Sequence, residues 1–97
     1  MLDRMRDQLN QVLRRERERE RLAALLPGGS PERPIVVAFT AVIEPRVLRM
    51  SCVHCGGEYR LHDHERPAPG VRRVDVGCRQ CSAPRSIWFR LVPREPN

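Results

Sequence analysis

Apolar positions in the first quarter of the chain recur at intervals of three and four. Leu2, Met5, Leu9 and Val12 open the series, Glu16 and Arg19 continue it, and Ala23 and Leu26 close it. No Pro or Gly falls between residues 2 and 26, and Pro27-Gly28-Gly29-Ser30-Pro31 then ends the run. Helical periodicity followed by chain breakers predicts a charged helix over residues 1–26 and a Pro/Gly linker over 27–34. The stripe is apolar at both ends and charged in the middle, where Arg and Glu alternate over residues 15–21. Alternation places opposite charges at i,i+3 (Glu16–Arg19, Glu18–Arg21) and like charges at i,i+4 (Arg15–Arg19, Glu16–Glu20). Each pair is worth roughly a few tenths of a kcal/mol, so the two sets offset each other. The middle is therefore a solvated stretch with little internal support. Two uses fit such a helix: self-association or docking to a partner protein, and rest on its own domain or as a frayed arm.

Beyond the linker the pattern becomes that of strands. Residues 35–43 are rich in β-branched residues and apolar on both faces, which predicts a strand covered on both sides, with the helix a candidate cover for one. Glu44-Pro45-Arg46 reads as a turn, and residues 47–50 lead into the first cysteine pair. Apolar and polar residues alternate over 58–62 and 73–76, Pro67-Ala68-Pro69-Gly70 supplies a turn between them, and residues 87–91 form a last strand. Alternation assigns Tyr59, Leu61, Val74, Val76, Ile87, Phe89 and Leu91 to a small core. It assigns Arg60, His62, Arg73, Trp88 and Arg90 to the opposite face.

Every cysteine belongs to a C-x-x-C pair: Cys52-Val53-His54-Cys55 and Cys78-Arg79-Gln80-Cys81. Two such pairs with 22 residues between them match the spacing of a four-thiolate zinc site. A two-residue gap turns the backbone tightly, so that two sulfurs face one point. Gly56-Gly57 follows the first pair, where a positive φ is often needed, whereas Ser82-Ala83 follows the second. Other cysteine chemistries fit less well. Charges recur in residues 1–7, where a signal peptide would be apolar, so a cytoplasmic location and reduced thiols are expected, against disulfides. A redox C-x-x-C wants a strand–helix context, nothing favours an iron–sulfur centre, and four thiolates leave no open position for catalytic zinc. The chain is thus expected not to be an enzyme, with one structural Zn2+ as its cofactor.

Composition explains why a metal is needed. The chain has 97 residues and only four aromatic side chains, Phe39, Tyr59, Trp88 and Phe89. A core this small calls for a staple. No apolar run reaches the roughly 20 residues that span a bilayer, the length leaves little room for a cofactor-binding enzyme domain, and no membrane or small-molecule substrate is expected as a partner. The formal net charge is +6, and all 18 cations are Arg. Arg replaces Lys on helix and loop alike, which is the mark of a GC-rich genome more than of a nucleic-acid partner. Residues 1–34 hold eight Arg and six acids, and residues 35–97 hold ten Arg and six acids. A four-thiolate zinc site would lower the net charge by two, to about +4.

The arrangement resembles the zinc-ribbon family over residues 47–92. The resemblance is carried by the first knuckle with its glycines and Tyr59, by the Val74-x-Val76-x-Cys78-x-x-Cys81 approach, and by the apolar strand over 87–92. It implies a three-stranded antiparallel sheet with zinc at one end, held by Cys52, Cys55, Cys78 and Cys81. Residues 35–97 are then a zinc-ribbon β domain in an α+β chain. Ribbons act in transcription, translation, RNA handling and protein docking, so the resemblance selects no function. Ser82 and the Pro-rich arm over 65–70 depart mildly from the pattern.

The remaining histidines read mainly as solvated. His54 is expected to face solvent from the knuckle. His62 and His64 are expected on one face, and with Asp63 or Glu65 they make only a thin second metal set. Three functional readings stay open. One is a docking or self-association role through the helix and residues 35–43. Another is RNA or DNA binding through Arg60, Arg73, Trp88 and Arg90. The third is a redox-sensitive zinc switch.

Overall fold

A computed structural model of the protein describes residues 2–92. Residues 1 and 93–97, the outer ends of the expected helix and β domain, lie outside the described residues, as does the side chain of Leu2. Helix α1 spans Leu2–Leu25, about 36 Å at 1.5 Å per residue. Four strands follow: β1 (Ile35–Val37), β2 (Tyr59–Ala68), β3 (Val71–Cys78) and β4 (Pro84–Leu91). They form one sheet in the order β1-β4-β3-β2. Strands β2, β3 and β4 are antiparallel, whereas β1 runs parallel to β4, so the sheet is mixed. The architecture is α+β.

Residues 35–43 are not one strand. Pairing stops at Val37, a single 3-10 turn covers Thr40–Val42, and helix α2 covers Ile43–Leu48. The expected turn at Glu44-Pro45-Arg46 lies inside α2. Two features of the sequence permit this. Ile43 and Val47 are four apart and share one helical face, and both are wholly buried. Pro45 falls in the first turn of α2, where N–H groups have no intrahelical partner in any case. Burying Ile43 and Val47 against the sheet outweighs the β preference of the β-branched run. Helix α2, not α1, thus covers the core face.

Core assignment from alternation holds in the sheet. Tyr59, Val74, Val76, Ile87 and Phe89 are buried, and Leu61 and Leu91 pack against them. At roughly 25 cal/mol per Å2 of apolar surface, the eleven buried apolar or cysteine residues among those described are a thin source of stability.

Strand β2 carries an irregularity. Leu61 pairs with Val76, yet Asp63 pairs with Asp75, so His62 is an extra residue in the ladder. The bulge reverses which side chains face inward. His62 stays on the outer face over Gly77, whereas His64 pairs with Val74 and its Nδ1 lies 3.7 Å from Glu44 of α2. The two histidines expected on one face therefore lie on opposite faces. After Ala68 the chain turns at Pro69-Gly70, with Gly70 at φ +75°, and re-enters the sheet at Val71.

Strand β1 covers only the C-terminal half of the open edge of β4. Nearer the cysteines, the Trp88 N–H donates to Gly28 O at 2.7 Å, and the last turns of α1 flank Pro84, Ser86 and Trp88. Residues 3–15 of α1 are exposed throughout. The molecule is accordingly long, 70 × 24 × 19 Å.

Candidate metal centre

The two cysteine pairs form two knuckles with matching hydrogen bonds. In the first, Cys52 N–H donates to Gly57 O at 2.8 Å and Gly56 N–H donates to Cys52 O at 2.8 Å. In the second, Cys78 N–H donates to Ala83 O at 3.0 Å and Ser82 N–H donates to Cys78 O at 3.0 Å. Both knuckles need a left-handed residue at the same place. Gly56 takes it at φ +77° and Ser82 at φ +64°, the latter without the freedom of a glycine. The Arg79 N–H donates to Glu58 O at 2.8 Å and joins the two turns. The β2–β3 hairpin explains how they meet, because Tyr59 pairs with Cys78.

The four sulfurs all lie within 4.8 Å of one another. Cys52 Sγ is 3.6 Å from Cys81 Sγ, and Cys55 Sγ is 3.4 Å from Cys78 Sγ. A tetrahedral ion with metal–sulfur bonds of about 2.3 Å requires sulfurs about 3.8 Å apart, so the set fits such an ion. Backbone N–H groups point at the sulfurs: His54 to Cys52 at 3.4 Å, Gly57 to Cys55 at 3.4 Å and Gln80 to Cys78 at 3.3 Å. These donors stabilise thiolates. Gly57 is also a steric requirement, because a Cβ there would lie 2.9 Å from Cys78 Sγ.

Without a metal the thiols divide their proton affinities. The Cys81 N–H draws Cys78 down to about 6, against burial and with help from the Gln80 N–H. The Gly57 N–H pulls Cys55 down, but Cys78, burial, Cys81 and Cys52 outweigh it and raise it to about 12. Cys81 is also raised. The Ala83 N–H lowers it, and burial together with Cys52 and Cys78 prevails. One sulfur thus carries charge most readily, and its neighbours act as donors to it. A cation at the centre reverses that competition and favours four thiolates.

Tyr59 braces the site from below. Its buried hydroxyl accepts from Val53 N–H at 3.3 Å and from Arg85 at 3.4 Å. His54 does not face open solvent as expected. Its side chain is only 16% exposed, and Nδ1 lies 3.0 Å from Glu16 Oε2, at ion-pair distance without hydrogen-bond alignment. Arg19 donates to His54 O at 3.3 Å. The charged residues that interrupt the stripe of α1 therefore meet the first knuckle, which no local pattern announced.

Arg60, His62, Arg73, Trp88 and Arg90 share the outer face of the sheet, with Arg73 directly opposite Trp88. The Arg73 guanidinium stacks 5.8 Å from the Trp88 ring centroid, and its Nε lies 3.2 Å from Asp75 Oδ1. Ser86 Oγ donates to the same carboxylate at 2.6 Å. The bulge adds Asp63 and Glu65 to this face, opposite Asp75 and Arg73. Hydrogen bonding and repulsion from Asp63 raise the Glu65 carboxyl. The face is mixed in charge, because three acids lie among its arginines.

No family model, no curated protein and no solved structure matches the chain. No helix among the described residues is long and apolar enough to cross a membrane.

Proposed function

We propose that this chain is a small, non-catalytic interaction module of the zinc-ribbon kind, in which Cys52, Cys55, Cys78 and Cys81 hold one structural Zn2+. Four thiolates suit zinc and leave no coordination position for a substrate. The ion ties the α2–β2 loop to the β3–β4 turn and supplies stability that the thin core lacks. Its thiolates take up charge where the backbone N–H donors already point.

The role of the module is self-association through α1. The observation that carries this reading is that Met5, Leu9, Val12 and Leu13 stay exposed on a helix whose residues 3–15 are exposed throughout. Of the charged residues up to Arg14, only Arg6 borders their stripe at 100° per residue. Two copies can therefore pair along this segment, in a two-fold arrangement, without burying like charges. Glu16 and Arg19, which would spoil a longer seam, are engaged by His54. The outer face lends less to a nucleic-acid role, because Asp75 and Trp88 engage Arg73 and two further acids repel phosphate. The assay is sedimentation velocity of the zinc-loaded chain from about 1 to about 100 μM, a range in which micromolar pairing is visible. A dimer is expected, and Leu9→Glu should return it to monomer with zinc content and sheet signal intact. A monomer across the range rejects self-association, while zinc-free protein with full β content rejects the structural zinc.

A further inference from the structure

Strand β1 is an edge, and among the described residues its outer side is open. In a parallel pair, alternate residues turn both N–H and C=O to the partner strand. Val92 N–H donates to Val37 O at 2.9 Å. Val37 and Ile35 therefore face β4, and Val36 turns its N–H and C=O away from the sheet. Among the described residues no backbone group pairs with Val36 on that side. Strands with such free edges accept another strand.

Beside this edge an open groove of about 650 Å3 separates β1 from α2. Val36, Phe39 and Val42 line it and are 60%, 64% and 43% exposed. Phe39 is one of only four aromatic residues, and the expectation of a doubly covered strand would have buried it. Arg46 and Arg49 of the α2 segment complete the groove. Neither makes an ion pair among the described residues, and no carboxylate lines the groove.

We propose that this edge and groove bind an extended, acidic peptide segment of another protein, added as a further strand beside β1. The backbone of Val36 supplies the ladder contact, Phe39 and Val42 take an apolar side chain, and Arg46 and Arg49 pair with carboxylates. Charge selects this occupant over a second copy. Two β1 edges paired about a two-fold axis would bring two Arg46–Arg49 sets together with no acid between them. Helix α1 of a second copy is no better, since residues 3–15 hold four Arg and two Asp.

The test uses the full zinc-loaded chain and synthetic peptides of about eight residues. One peptide alternates Val or Ile with Asp or Glu, and a second carries Lys in place of every acid. Fluorescence anisotropy measures binding, and amide chemical shifts locate it. The acidic peptide should bind at least about ten-fold more tightly than the lysine peptide. Phe39→Ser and the pair Arg46→Glu/Arg49→Glu should each weaken it about ten-fold or more, with zinc content unchanged. N-methylation at the centre of the peptide should weaken binding too, and Leu9→Glu on α1 should not. The proposal is overturned if both peptides bind alike, if neither binds up to about 1 mM, or if the shifts map to α1. It is equally overturned if Phe39→Ser changes sedimentation while the acidic peptide fails to bind, because a second copy then covers the edge.

Discussion

Phe89, Ile87 and Val74 in the sheet are wholly buried, whereas Met5, Leu9 and Leu22 on α1 are each more than half exposed. Both regions hold apolar side chains at the proper period for their element. The difference is what lies opposite them. The inner face of the sheet meets α2, and its cysteine end is gathered by two hydrogen-bonded knuckles. Helix α1 meets the body of the protein only from about Glu16 onward, through His54 and the groove beside Trp88. An amphipathic pattern specifies that an element has an apolar face, and a second layer within the chain decides whether that face is buried.

Metal removal should break this contrast most strongly. Structural zinc contributes on the order of 10 kcal/mol to domains of this kind. Chelation, or Cys78→Ser, should abolish the β signal and the fixed environment of Trp88, while part of the helical signal persists. Circular dichroism with tryptophan emission reads both, and an intact sheet without metal would contradict the contrast. Phe89→Ala comes next. It opens a cavity under β4 and should cost about 3–5 kcal/mol in chemical denaturation of the holo protein. A loss near zero would mean that the metal alone holds the sheet.

Zinc affinity should depend steeply on pH. Cys55, raised to about 12, and Cys81, also raised, are thiols near neutrality and must lose protons to bind the ion. Affinity therefore rises with pH and falls as pH drops, by at least about a hundred-fold per unit, because these two thiols alone release two protons. Cys78, drawn down to about 6, adds to that slope only toward pH 6 and below. Competition with a chromophoric chelator between pH 6.5 and 8 gives the slope, and a flat profile would oppose these assignments. Ser82→Gly is a smaller effect of opposite sign. Relief of a non-glycine residue at φ +64° should stabilise the holo protein by about 1 kcal/mol, seen as a higher Tm. Smallest is Leu22→Gln on α1, which should change the unfolding free energy of dilute protein by less than about 0.5 kcal/mol. A loss of several kcal/mol there would show that α1 belongs to the cooperative core.

Much of the candidate site was legible before any fold was known. Spacing alone paired Cys52 with Cys55 and Cys78 with Cys81, because the knuckle is a local structure whose hydrogen bonds run over five residues. The core positions of β3 and β4 were legible for the same kind of reason, since strict alternation survives wherever pairing is regular. Residues 35–43 misled, because β-branched residues suit a strand locally but the core needed a lid from Ile43 and Val47. His64 misled because a bulge at His62 leaves no mark on single-residue pattern. His54 misled because its partner, Glu16, lies 38 positions away in the chain.

By itself, then, the amino-acid order determined the helix and its stop, the alternation of β3, of β4 and of the start of β2, and the two cysteine knuckles. Each depends on neighbours within a few residues, where backbone geometry links spacing to direction. Only the tertiary structure decided that α2 would close the core, that β1 would add in parallel and leave Val36 and Phe39 at an open edge, and that most of α1 would remain uncovered. Those outcomes depend on which distant surfaces compete for the same apolar area, and burial of that area is non-directional and blind to sequence separation.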